Sequence, residues 1–267
     1  TQGTWTLSQS TEVPTGQGFS KSFKYDCTTA DASPAAGDKI NLQQRLEGQM
    51  LQYLKKGTSS AESTTLSFWV RSNKTGTYIA ELLDFDNSRQ ISQSYTISSA
   101  DTWEKKTLTF AGDTTGAFDN DNAQSLMVAF WLGAGSDYTS GTLSTSWTST
   151  TNANRAVGQV NLADSTSNEW YITGVQLEAG TAASDFEFLP KDVNTTRCQR
   201  YYQKSYDLDT APGTATDSGV GWNGSSGDSG GNAAFLPPFK TTMRGAPTVT
   251  GYARDGTSGQ GSYFRNG

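Results

Sequence analysis

Residues 64–72 read TTLSFWVRS, placing Leu66, Phe68 and Val70 on one side of an extended chain and Ser67, Trp69 and Arg71 on the other. This period of two, repeated between polar turns, is the feature that most restricts the fold. It recurs in GTYIAELLDFD (76–86), SQSYTIS (92–98), TWEKKTLTF (102–110), SLMVAFWLGAG (125–135) and NEWYITGVQLEAG (168–180), with turns such as NKTG, SSAD and GDTTG between. In the last run Trp170, Ile172, Gly174, Gln176 and Glu178 share one side, and Tyr171, Thr173, Val175 and Leu177 the other. TWTLSQS and GFSKSFKYDC add two earlier strands around the turn TEVPTGQG. Many short strands joined by polar turns give an all-β chain, a sandwich or jelly roll.

Two stretches break the pattern. Between Ala30 and Thr64, Leu42, Leu46 and Met50 or Leu54 recur at helical spacing, but KINLQQRLE also reads as a strand followed by a helical turn; both readings stand. Residues 135–168 are too polar to be mostly core and read as a long decorated loop carrying Tyr138 and Trp147. Beyond Pro190 lie a helical turn from Val193 to Tyr202, a Gly/Ser/Asp-rich insertion, and two strands around the prolines of AAFLPPFKTTMRGAPTVTGYARDG. The expected division is a sandwich over 1–190, then a short junction and smaller C-terminal β segment over 191–267, truncated or completed by other chains.

Several functions are excluded. With no histidine, Ser-His-Asp and Cys-His catalysis and His-ligated zinc or iron sites are closed. A net charge of -6 with scattered Lys and Arg argues against nucleic acid as a partner. No apolar run approaches the roughly 18–20 residues of a membrane helix, so membrane insertion is not expected. The chain opens at Thr1 without Met, which leaves a missing upstream portion open. Cys27 and Cys198 are read as a disulfide or, more readily, two core thiols. A glycan-cleaving site needs two carboxylates roughly 5–10 Å apart. The candidates, Asp84, Asp86, Asp119 and Asp121, sit in the turn-like LDFDNS and FDNDN, so no catalytic residue is assigned and no enzyme is expected. The same oxygens suit calcium, although neither cluster has EF-hand spacing.

Carbohydrate recognition calls for flat aromatic faces rimmed by groups that match hydroxyls. If Leu66, Phe68 and Val70 face the core, Trp69 and Arg71 point away from it. Likewise, Leu126, Val128, Phe130 and Leu132 inward send Trp131 outward, giving two tryptophans on one sheet as a platform unless a loop or subunit covers it. Tyr138 and Trp147 form a second candidate, with packing of the loop onto the sandwich as the alternative. Trp222 lies in GVGWNGSSG, open to a ligand or a trimer contact.

WYITGVQLEAGTAASDFEFLPKDVNTTRCQRYY resembles a phrase of bacteriophage tail-fibre and other virion appendage proteins, at Gln176, Leu177, Glu178, Gly180, Phe186, Glu187, Cys198, Gln199, Arg200, Tyr201 and Tyr202. LPPFKTTMRGAPTVT is similar to its usual continuation, matching at Met243, Arg244, Pro247 and Thr248; Asp185 and the Gly/Ser-rich 207–232 depart from the pattern. Residues 64–180 also resemble jelly-roll carbohydrate-binding modules. These resemblances imply a virion subunit, in a tail or capsid appendage, that binds host-surface polysaccharide without covalent chemistry. The partners implied are other virion proteins and two further copies in a homotrimer. No cofactor is required, with structural calcium open because such modules often carry it. The alternatives are an architectural fibre or connector, and a module cut from a glycoside hydrolase. Gly180 is expected to allow a sharp exit from the last strand, with Glu178 and Glu187 accepting backbone amides or pairing with Arg197 or Arg200.

Overall fold

A computed structural model describes residues 2–216 and 238–259. It divides into two compact units, 1–187 and 188–267. The first unit carries ten strands: β1 (Thr4–Ser10), β2 (Ser22–Thr29), β3 (Lys39–Glu47), β4 (Thr64–Ser72), β5 (Gly76–Asp84), β6 (Arg89–Ile97), β7 (Glu104–Phe110), β8 (Gln124–Ala134), β9 (Thr148–Ser149) and β10 (Glu169–Ala179). They form two five-stranded sheets in the orders β1-β2-β10-β4-β7 and β3-β8-β5-β6-β9, and every strand pair is antiparallel. Without β1 and β9, the chain passes between β2-β10-β4-β7 and β3-β8-β5-β6, which is the jelly-roll order. The all-β expectation holds.

The core lies between the sheets, where inward positions of β4 (Leu66, Phe68, Val70) meet those of β8 (Leu126, Val128, Phe130, Leu132) and β5 (Tyr78, Ala80, Leu82). Phe68 stands edge-on to both Tyr95 and Phe130, with centroids 5.0 and 4.9 Å away. Of the two readings of 38–55, the strand followed by a turn is the one observed: β3 runs into 3-10 turns at Gly48–Met50 and Gln52–Leu54. Leu51 and Leu54 plug the end of the core from there.

β10 departs from simple alternation. Its register against β4 shifts between Thr173 and Gln176, a bulge in which Gly174 has φ +61°. A Cβ on Gly174 would lie 2.5 Å from the Phe19 ring, so the close approach requires glycine. Leu177 therefore sits opposite Leu66 and packs on the core, correcting its expected placement with Tyr171 on the far face. Gly180 has φ +110°, as a sharp exit demands.

The excursion 135–168 holds a one-turn helix α1 (Ser136–Thr139), β9 and two 3-10 turns. It packs onto the outer face of the β3-β8-β5-β6 sheet, where Ser92 N–H donates to Ser144 O at 2.7 Å and Ser92 Oγ to Arg155 O at 3.0 Å.

In the second unit, α2 (Lys191–Gln199) is followed by a turn that meets the segment 240–244. Arg244 N–H donates to Arg200 O at 2.9 Å, Lys240 N–H to Gln203 Oε1 at 2.9 Å, and Gln203 Nε2 to Gln199 O at 3.0 Å. The CQRYYQ and KTTMR phrases are thus packing partners. Over 238–259 the two expected strands reduce to one isolated bridge, Tyr252 with Ser258, since the prolines there remove ladder donors. Trp222 and most of the Gly/Ser-rich insertion lie outside the described residues.

Candidate functional site

Because Leu66, Phe68 and Val70 fill the core, Trp69 and Arg71 project from the outer face of the β1-β2-β10-β4-β7 sheet. Pairing fixes what stands beside them. Lys24 on β2, Tyr171 on β10 and Arg71 on β4 occupy one row across three strands, while Thr173, Trp69 and Lys105 occupy the next. Trp103, just before β7, closes the first row with its ring 6.2 Å from Tyr171. Cations and rings alternate along the first row, and Trp69 stands beside Lys105 in the second. The Arg71 guanidinium stands 5.0 Å from the Tyr171 centroid and Lys24 Nζ 5.5 Å from it.

Hydrogen bonds hold this grid flat. Tyr171 is only 4% exposed, and its hydroxyl donates to Glu169 Oε2 at 2.7 Å while Lys24 pairs with the same carboxylate. Arg71 donates to Asp101 from Nε at 3.0 Å and from Nη2 at 3.1 Å. Burial opposes the Lys24 charge, but hydrogen bonds to Glu169 and Tyr171 outweigh it and hold the amine above the ordinary lysine value. Burial likewise opposes the Glu169 charge, and the bonds from Lys24 and Tyr171 keep that carboxyl below the usual range. Burial, then the bond to Glu169, pushes the Tyr171 phenol up. Trp69 and Trp103 remain half-buried and Lys105 exposed, so ring faces and donors reach the surface together.

The other expected residues lie elsewhere. Trp131 points away from the inter-sheet core, but on the opposite sheet from Trp69, so the two form no common platform. It is 0% exposed, which corrects its assignment to a glycan surface. The excursion lays Ala156, Tyr138 and Leu143 over it. Its indole N–H donates to Glu81 Oε2 at 3.1 Å, and Arg155, gripping Glu81 from Nε at 2.7 Å and Nη2 at 3.0 Å, stands 5.3 Å from the ring. Tyr138 packs on Trp131 with centroids 5.4 Å apart and takes a hydrogen bond from Lys39 Nζ at 3.1 Å. Trp147 packs against the core, and its N–H donates to Ala111 O at 2.7 Å. Tyr138 and Trp147 therefore anchor the loop, the packing alternative. Such anchors are needed because a long polar excursion has little apolar surface of its own to bury.

Trp103, Tyr171, Lys24 and Glu169 were not among the site residues expected from the sequence. Their signal was the same alternation: Leu108 and Phe110 inward put Trp103 and Lys105 outward, and Trp170 and Ile172 inward put Tyr171 outward. Trp131 also carried a signal. SLMVAFWLGA is apolar on both sides, and a strand so composed is buried on both faces.

The tail-fibre-like phrase closes the end of β10. Glu178 accepts from Ser184 N–H at 3.1 Å and from Ser184 Oγ at 2.5 Å, so the backbone-amide alternative is the one realised at Glu178. Gln176 Oε1 takes the Glu187 N–H at 2.8 Å, and Phe186 packs edge-on to Phe19 at 5.1 Å. Of the candidate calcium ligands, Asp84 is fully buried against Lys56, Asp86 Oδ2 accepts from Asp119 N–H at 3.0 Å, and Asp121 Oδ1 from Ala123 N–H at 2.9 Å. Among the described residues, no group of three or more Cys, Asp or Glu side chains is placed to hold a metal ion. Cys27 is buried, Cys198 exposed, and both are free thiols.

No family model and no curated protein matches the chain. Among solved structures, the enzymatically active domain of tailspike protein 4 from bacteriophage CBA120 aligns with a TM-score of 0.37 and 17% identity over 67% of this chain, which spans 18% of that protein's length. A putative sugar binding protein from Bacteroides thetaiotaomicron aligns with a TM-score of 0.33 and 11% identity over 66% of this chain and 83% of its own. A structure described as CBM4 structure and function gives 0.33 and 11% over 66% of this chain and 77% of its own. The fold assignment rests on the strand order.

Proposed function

We propose that this chain is a non-catalytic carbohydrate-binding subunit of a virion appendage, holding host-surface polysaccharide on the outer face of the β2-β10-β4-β7 sheet. The observation that carries the reading is the double row Lys24–Tyr171–Arg71–Trp103 and Thr173–Trp69–Lys105. Ring faces there can stack on the C–H side of a sugar, and neighbouring ammonium and guanidinium groups can donate to its hydroxyls. The virion setting is supported by the tail-fibre-like phrases, which here form compact hydrogen-bonded turns. Homotrimeric display belongs to the same proposal, because a shallow site binds weakly and linked copies raise the effective concentration. No metal or cofactor is assigned a part.

The test is retention on a panel of bacterial surface polysaccharides, for the native chain and for Trp69→Ala, Trp103→Ala and Trp131→Ala. Loss in the first two, with retention by whatever fraction of the third remains folded, is the expected pattern. Undiminished retention in both Trp69→Ala and Trp103→Ala would remove the site. If the native chain binds no glycan and assembles through this face, the architectural alternative replaces the reading.

A further inference from the structure

A second constellation lies at the end of the sandwich, apart from the aromatic face. Lys56 follows the second 3-10 turn, Asp84 ends β5, and Asp113 lies just beyond β7; their side chains are 4%, 0% and 4% exposed. Lys56 Nζ is 2.6 Å from Asp84 Oδ2, 3.1 Å from Asp113 Oδ2, 2.7 Å from Gly116 O and 3.0 Å from Thr115 O. The rings of Phe118 and Trp147 stand 5.1 and 5.4 Å from the same nitrogen. Asn87 donates to both oxygens of Asp84, from its main-chain N–H at 3.1 Å and from Nδ2 at 3.0 Å. Arg89 grips Asp113 from Nε at 2.6 Å and Nη2 at 3.0 Å.

We propose that Lys56 and Asp84 condense within the folded chain to an isopeptide bond, with Asp113 as the proton carrier and Asn87 as the oxyanion donor. Each part of the geometry has a task in that reaction. A neutral amine has two N–H groups and one lone pair; the Gly116 and Thr115 carbonyls take the two hydrogens, which turns the lone pair toward the carboxylates. Intramolecular placement of this kind is worth an effective concentration of about 10⁵–10⁸ M, enough to offset the unfavourable condensation of an amine with a carboxylate in water. Burial raises the Asp113 carboxyl, but the hydrogen bonds from Arg89, the Thr115 N–H and Lys56 together outweigh it and hold the group below the usual range, so Asp113 begins as the base.

The step balances without any further reactant. Asp113 takes one proton from the Lys56 ammonium, and the freed lone pair forms the Nζ–Cγ bond as the C=O π pair moves onto Oδ1, the oxygen that accepts from the Asn87 main-chain N–H. The other Asp84 oxygen leaves as water, carrying two of the three original ammonium protons, one returned by Asp113 and one lost directly from nitrogen. One ammonium and one carboxylate become one amide N–H and one water, and Asp113 ends as the carboxylate it began as. The bond joins the β3–β4 connection to the end of β5.

Denaturing mass spectrometry of the intact chain reads the outcome. The expected mass is one water, about 18 Da, below that of the sequence, with fragmentation placing the loss in a branched peptide that contains both Lys56 and Asp84. Lys56→Arg and Asp84→Ala should each restore the full mass; alanine is used because asparagine could itself condense, with loss of ammonia. Asp113→Asn should slow linking by about 10²-fold or more, and linking at the native rate in that variant would remove Asp113 from the reaction. Native chain that keeps its full mass after prolonged incubation in the folded state is held by a permanent ion pair, and the proposal fails. A water loss confined to one linear peptide, as in succinimide formation, overturns it equally.

Discussion

Trp69 and Trp131 occupy the same kind of position, an outward-pointing residue on a central strand, and the structure gives them opposite fates. Trp131→Ala empties a sealed site and removes the indole N–H that donates to Glu81, so it should cost about 3–5 kcal/mol in urea unfolding. Trp69→Ala should leave stability within about 1 kcal/mol of native while lowering glycan retention. Glu169 supplies a pH test. Its folded carboxyl is held below the ordinary value of 4.5, so it stabilises the fold above that value, and the contribution disappears as pH falls through the folded value. Urea midpoints measured from about pH 6 to about pH 3 should therefore fall less steeply in Glu169→Gln than in the native chain. Alternation alone was enough to point Trp69 and Arg71 outward, and the same rule reaches Trp103 and Tyr171. The cover over Trp131 comes from Tyr138, Leu143 and Ala156, which strand parity cannot place.

At the level of elements, β10 and the excursion show where local pattern gives way to tertiary contact. The bulge exists because Gly174 can turn to φ +61° beneath the Phe19 ring, and it reverses which side chains face the core for the rest of the strand. Gly174→Ala should destabilise the sandwich by about 1–3 kcal/mol, measured by thermal or urea unfolding, with part of the cost relieved in Gly174→Ala/Phe19→Ala. The excursion depends on one buried ion pair. Arg155→Met leaves Glu81 desolvated and unpaired and should cost about 3–5 kcal/mol, with hydrogen exchange rising first over 136–160. Eight of the ten strands were readable as extended runs between turn residues, most of them alternating. β3 carried a competing helical spacing, decided by its pairing with β8, and the two-residue β9 has no pattern of its own and exists only as a partner of β6.

Across the whole molecule, the first unit closes on itself through β2 and β10, strands from opposite ends of its sequence. All the ladder partners of its strands lie between 1 and 187, so this fragment should fold alone and unfold in one cooperative transition followed by circular dichroism. Non-local pairing of this order places its folding in the millisecond-to-second range. The two outer faces of the sandwich differ in kind. One is wrapped by the chain's own excursion and sealed by Arg155; the other presents half-buried rings beside charged donors. A sandwich face of this kind is a tile and not a clamp. On the proposed reading that face would meet a polymer from one side and enclose no chain end, so the strength of its hold should grow with the length of the polymer laid across it and be indifferent to how that polymer terminates.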